Sequence, residues 1–125
     1  MTNALVLRSL AWLLYFDYLV HFYGFAAVHN AVLKQQLFPM DPALIDPAVV
    51  CHAVDLACVF YFKRVLCLQR SAITTVLLRR HGWNAEMVIG VQLLPFQSHA
   101  WVEIQARVVN DKPYVNEMFQ VLERC

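Results

Sequence analysis

The chain predicts an α+β fold, with helices in the N-terminal part and a small antiparallel sheet after them, and three observations carry that expectation. Over residues 5–33 the sequence is an almost continuous apolar and aromatic stretch. In residues 68–81 the apolar positions Leu68, Ala72, Ile73, Val76 and Leu77 recur at helical spacing. Beyond residue 82 the pattern changes to alternation, with Ala100, Val102 and Ile104 interleaved between larger or polar residues, and to β-branched runs such as Val108-Val109.

Taken in order, residues 5–33 form one or two helices, with a pause at Gly24 or a run to Leu33. Arg8, Asp17, His21 and Asn30 are the main polar interruptions. Asp17 stands mid-stretch with His21 one turn later, and the charge-free run from Tyr18 to Leu33 is short and polar for a membrane span, so packing on the rest of the chain or on a partner is favoured over insertion. Pro39, Pro42 and Pro47 mark a linker with turns. Asp46-Pro47 starts the next helix, as proline near a helix N-terminus favours. The helix over 68–81 closes on Arg79, Arg80, His81 and Gly82, cations and a glycine where a helix C-terminus favours them. Strands follow near 86–92, 99–105 and 107–110, with Gly90 a candidate bulge, and the tail is mixed. Residues 1–45 are thus an apolar helical segment and residues 46–125 the core of one compact domain.

At 125 residues with a net charge of +1, nothing points to a nucleic acid or to an acidic substrate surface. The cysteines at 51, 58, 67 and 125 form no CxxC pair, no zinc spacing and no secreted framework, and no signal peptide is visible. No cofactor or metal is expected, and a reducing cytoplasm is the natural location. Cys51 and Cys58 share an apolar helix face with Val50, Val54 and Ala57, which makes them core residues; His52 has no partner at ligand spacing.

Cys67 differs from the other cysteines because it heads a helix. There the unpaired amides and the positive dipole end favour thiolate over thiol, and the same amides can donate to an oxyanion. His99 opens the alternating strand and shares its face with Trp101 and Glu103, while Asp111 follows in the turn Asn110-Asp111-Lys112-Pro113. A thiol, a base for its proton and an acid to orient the base are the parts that thiol catalysis needs. Each residue alone also has an ordinary structural reading, as a small core hydrophobe, a satisfied histidine or a turn aspartate.

The words Cys67-Leu68-Gln69-Arg70-Ser71, Leu77-Leu78-Arg79-Arg80-His81-Gly82, Val88-Ile89-Gly90-Val91, Pro95-Phe96-Gln97-Ser98-His99-Ala100-Trp101-Val102-Glu103 and Val108-Val109-Asn110-Asp111 together resemble the leader peptidase of lasso-peptide biosynthesis, from about residue 55 to 125. That family is similar to a miniature transglutaminase-like, papain-related cysteine protease. The resemblance implies a cysteine endopeptidase in which Cys67 is the nucleophile, His99 the general base and acid, and Asp111 the group that orients it. It implies as partners a lasso precursor peptide bound through its leader, a separate winged-helix leader-recognition protein, and an ATP-dependent cyclase that closes the ring on the freed core. The chain has no segment to spare for the recognition domain, so supply in trans is expected. Gln69 and Arg70 stand near enough to support the site, although a solvated helix position is the favoured description of either. Two other readings use the same residues differently: a transglutaminase-like acyltransferase on a peptide, and a scaffold without catalysis that binds the precursor or a membrane.

Overall fold

The computed structural model describes residues 2–37, 39, 41, 44–93 and 95–125. Four helices of ten residues or more, α1 (Thr2–Tyr23), α2 (Phe25–Lys34), α3 (Pro47–Phe60) and α4 (Cys67–Arg80), precede the strands β1 (Ala85–Leu93), β2 (Phe96–Ile104) and β3 (Arg107–Val108), the short turn of helix α5 (Val115–Met118) and β4 (Gln120–Arg124). The fold is α+β. Pro42 of the expected linker lies outside the described residues.

Gly24 separates α1 from α2. Its φ of 82° is one that side-chain-bearing residues avoid, and its amide closes α1 on the carbonyls of Leu19 and Val20. At the start of α3 the Asp46 carboxylate accepts the Ala48 amide at 2.8 Å, with Pro47 at the first helical position. Of the two courses expected for the first helical stretch, the break at Gly24 is the one taken, and the helix expected from Asp46-Pro47 begins there.

α4 is the centre of the molecule. The helices α1, α2 and α3 pack on it from one side and β1 and β2 from the other. Residues Ser71 to Leu78 are all buried, although three carry hydroxyls. Thr74 and Thr75 donate to the carbonyls one turn back, Arg70 and Ser71, at 2.8 Å each, which lets polar side chains enter a dry interior without orphaned donors. One contiguous core joins Leu5, Leu13, Phe16, Val28 and Val32 of the first two helices to Val50, Val54, Ile73, Val76 and Leu77, and to Met87, Val102 and Ile104 of the sheet.

The sheet is antiparallel throughout, in the order β3-β2-β1-β4. β1 and β2 pair over their full lengths, from Ala85 opposite Ile104 to Leu93 opposite Phe96. The pairing of β1 with β4 shifts register between Ile89 and Gly90, the bulge that Gly90 marks. A Cβ at Gly90 would stand 2.8 Å from the Trp101 ring and 2.9 Å from Phe119, so only glycine admits those aromatics. Trp101 and Val88, with Val115, form a second small cluster on the sheet face turned away from α4.

Two details differ from expectation. The third strand was expected over 107–110 but is limited to Arg107–Val108. Gln105 and Ala106, at φ 51° and 64°, make the tight turn from β2, and then the Asn110 side chain takes over a ladder position by accepting the Val102 amide at 2.7 Å. The tail, read as mixed, holds an edge strand, β4, whose side chains are almost all exposed.

Candidate active site

Cys67 is the first helical residue of α4, and Leu66 before it is extended, with φ −79° and ψ 157°. The sequence places an apolar residue where a helix usually has an oxygen-bearing cap. Leu66 has no side-chain acceptor, and among the described residues the amides of Cys67, Leu68 and Gln69 have none. They remain free at the positive end of α4.

His99 stands on β2 and is half-buried, and Asp111 lies in the bend beyond β3. His99 Nε2 faces Asp111 Oδ2 at 2.5 Å. A carboxylate only accepts, so Nε2 carries the proton in that pair and Nδ1 is the nitrogen left to receive another. The imidazole is held on its ring faces as well, with centroids 5.3 Å from Phe119 and 6.0 Å from Trp101, both near parallel. Trp101 is fixed in turn by its indole N–H, which donates to the buried Glu103 at 2.8 Å, and Glu103 accepts from Arg124 at 2.8 Å.

Asp111 is pulled in two directions. Burial pushes its carboxyl up, but the hydrogen bond with His99, the Lys112 amide and the nearby imidazole and Arg70 guanidinium outweigh that and hold it below its ordinary value. It is therefore an anion at neutral pH. Arg70 donates to the Asn110 carbonyl at 2.9 Å and approaches Asp111 to 4.0 Å, which pins the corner that presents the carboxylate.

Cys67 and His99 line one cavity of about 120 Å³, together with Phe25, Leu68, Ile89, Ser98 and Ala100. One turn along α4 from Cys67, the Ser71 hydroxyl donates to the Ala100 carbonyl at 3.0 Å and accepts from Asn110 at 3.1 Å. This bolts the helix of the thiol to the strand of the imidazole next to the cavity. The three residues singled out from sequence thus lie together, Cys67 with His99 across the cavity and Asp111 behind His99. Asn110, the neighbour with a similar side chain, is committed to Ser71 and Val102 instead.

The other thiols stand apart. Burial pushes Cys51 and Cys125 up to about 11 and raises Cys58 also, so all three are held as thiols at neutral pH. Among the described residues no group of three or more His, Cys, Asp or Glu side chains is arranged to hold a metal ion. Gln69, read from sequence as an ordinary solvated position, is buried: its Oε1 accepts the Leu66 amide at 3.0 Å and its Nε2 donates to Asp17 at 3.3 Å. Sequence reasoning also missed Phe119, which lies in the tail it left unassigned. Trp101 carried a signal, since it shares the period-two face of His99.

A thiol at the start of a helix thus shares a cavity with a strand-borne imidazole, and that imidazole is paired with a carboxylate from the following bend, the set of groups that thiol chemistry uses. Residues 10–124 match the transglutaminase-like superfamily, and the chain belongs to it. It is also 38% identical over 56 residues to the microcin J25-processing protein McjB of Escherichia coli, a match covering 45% of this chain and 27% of that protein. No solved structure matches the chain.

Proposed function

We propose that the chain is a cysteine endopeptidase that removes the leader from a lasso-peptide precursor. The observation that carries the reading is the His99–Asp111 pair beside a cavity shared with Cys67 at the free amino end of α4. The similarity to a protein named for processing microcin J25 supplies the substrate class.

The residues divide the work as follows. His99 Nδ1 takes the Cys67 proton, and the thiolate attacks the carbonyl at the leader–core junction. The free amides at the start of α4 donate to the oxyanion. As the tetrahedral intermediate collapses, the carbon–nitrogen bond breaks and His99 returns the proton to the departing amine, which leaves as the new N-terminus of the core. Water, losing a proton to His99, then attacks the thioester; the leader departs as a carboxylic acid and the thiol is restored. Asp111 moves no proton. It holds the Nε2–H and stabilises the imidazolium.

The freed core amine is the nucleophile that ring closure requires, so a separate ATP-dependent cyclase is the consumer of the product. A separate winged-helix protein that captures the leader is the partner that delivers it. The chemistry needs Cys67 reduced, which suits the cytoplasm.

The test is to mix the protein with a candidate precursor and its leader-binding partner and read peptide masses. Wild type should yield two fragments whose masses sum to the precursor plus one water. Cys67→Ala should yield none, while Cys51→Ala, Cys58→Ala and Cys125→Ala should retain most of the activity. Full activity in Cys67→Ala would overturn the reading, and a leader joined to an added amine instead of to water would make the protein an acyltransferase.

A further inference from the structure

We propose that Asp17, in the last third of α1, is a positioning residue for the nucleophile, acting through Gln69 on the backbone that leads into Cys67. The proposal rests on the reading of Cys67 as the nucleophile.

Gln69 is the third residue of α4 and is only 5% exposed. Its side-chain carbonyl accepts the amide of Leu66, the residue just before Cys67, at 3.0 Å. A primary amide can present either end, and the wrong end would set N–H against N–H at Leu66. Asp17 decides which end is presented. Its carboxylate, lacking any donor, takes the Gln69 amino group at 3.3 Å and so leaves the Gln69 oxygen for Leu66. Two further bonds join the same carboxylate to the segment entering α4, from the Tyr61 hydroxyl at 3.1 Å and from Lys63 at 2.9 Å.

The device explains how α4 starts at Cys67 without an ordinary cap. Had position 66 carried Ser, Thr or Asp, its oxygen would occupy the amides that the oxyanion needs. Here the reach-back from Gln69 satisfies Leu66 N–H, and the amides of the first turn stay vacant. Asp17 lies 52 residues from Gln69 in sequence and lines a separate groove with Lys63, Arg64, Leu66 and Gln69, not the cavity of Cys67 and His99. It acts by holding the frame and does not touch the reacting atoms.

The experiment measures the rate at which iodoacetamide alkylates Cys67 at neutral pH, read by peptide mass, beside circular dichroism and, where a precursor is cut, kcat and KM. Asp17→Ala and Gln69→Leu should each slow alkylation about fivefold or more and lower kcat about tenfold, with KM within about twofold, since misplacement of the reacting group falls on the chemical step. Gln69→Glu sets two carboxylates together and should slow alkylation likewise. The double variant Asp17→Asn/Gln69→Glu reverses donor and acceptor while keeping the charge, and should restore the rate to within about twofold of wild type. Asp46→Ala, which removes the α3 cap, controls for destabilisation and should leave Cys67 reactivity unchanged. If Asp17→Ala folds and reacts at the wild-type rate, or if the double variant is no better than Gln69→Glu, the proposal is overturned. Alkylation needs no precursor, so a protein that cuts no precursor but shows this pattern loses the peptidase reading and keeps the positioning role.

Discussion

The helices α1 and α4 invert the usual relation between composition and burial. α1 is apolar over most of its length and is the one described helix long and apolar enough to cross a membrane, yet Leu7, Leu14, Tyr18 and Phe22 are exposed along it. α4 carries Gln69, Ser71, Thr74 and Thr75 and is buried from Gln69 to Leu78, except for Arg70. Position between layers decides burial, and side-chain composition decides what burial is used for. In α4 the polar groups are spent inward, on strand β2, on its own carbonyls and on Asp17 of α1. α1 supplies apolar mass through Leu5, Leu13 and Phe16, and it meets polar groups of α4 at Asp17, which accepts from Gln69, and at Trp12, whose ring lies under Arg80.

That comparison is sharpened most severely at the chemistry that α4 faces. His99→Ala should abolish peptide cleavage about as completely as loss of Cys67, by roughly a thousandfold or more, because residues acting as a unit are not additive. Asp111→Asn should lose about a hundredfold or more and leave a measurable remnant in a progress curve. A silent Asp111→Ala beside an inactive Asn110→Ala would transfer the orienting role to Asn110.

A smaller effect tests whether the polar groups between α4 and β2 hold the fold. Asn110→Ala leaves the Val102 amide and the Ser71 hydroxyl short of a partner and should cost about 1–3 kcal/mol in urea unfolding. Loss of under half a kilocalorie would show that water replaces the amide, and the contrast between the two helices would weaken.

Acid tests the link between the helices. Burial raises Asp17, but its bonds to Lys63, Tyr61 and Gln69 lower it further, so both Asp17 and Asp111 titrate below their ordinary value of 3.8. A depressed carboxyl contributes stability that is complete above its unfolded pKa and is lost as pH falls through the lower folded one. The melting temperature should therefore drop as pH falls below about 4, and less steeply in Asp17→Asn.

The smallest effect belongs to the outer side of α1. Leu14→Ser and Phe22→Ser should change unfolding free energy by no more than about 0.5 kcal/mol while reducing self-association in light scattering. A destabilisation matching that of Asn110→Ala would mean that α1 is as embedded as α4.

Much of this arrangement was legible in the chain. The start of α3 was readable because Asp46-Pro47 is a complete local signal, and α4 because its apolar spacing and its terminal Arg79, Arg80 and Gly82 agree. His99 and Trp101 were readable through strand alternation. The length of β3 was not, because the Asn110 side chain imitates a backbone partner and a β-branched run gives no sign of that. β4 was hidden because an exposed edge strand has no buried face to impose a period. The tie from Asp17 to Gln69 is a contact between distant segments, and in sequence Asp17 was only an interruption in an apolar run.

Arg79 joins parts of the chain that composition never linked. Its half-buried guanidinium donates to the carbonyls of Val32 and Gln35, at the close of α2, and to Ala85 at the opening of β1. Three carbonyls in two separate segments therefore share a single donor group, and withdrawing it takes a hydrogen bond from all three at once. In hydrogen exchange the end of α2 and the first residues of β1 should open as one unit. Phe25, at the other end of α2, is part of the cavity wall beside Cys67, so the stiffness of that wall is set from the far end of its own helix.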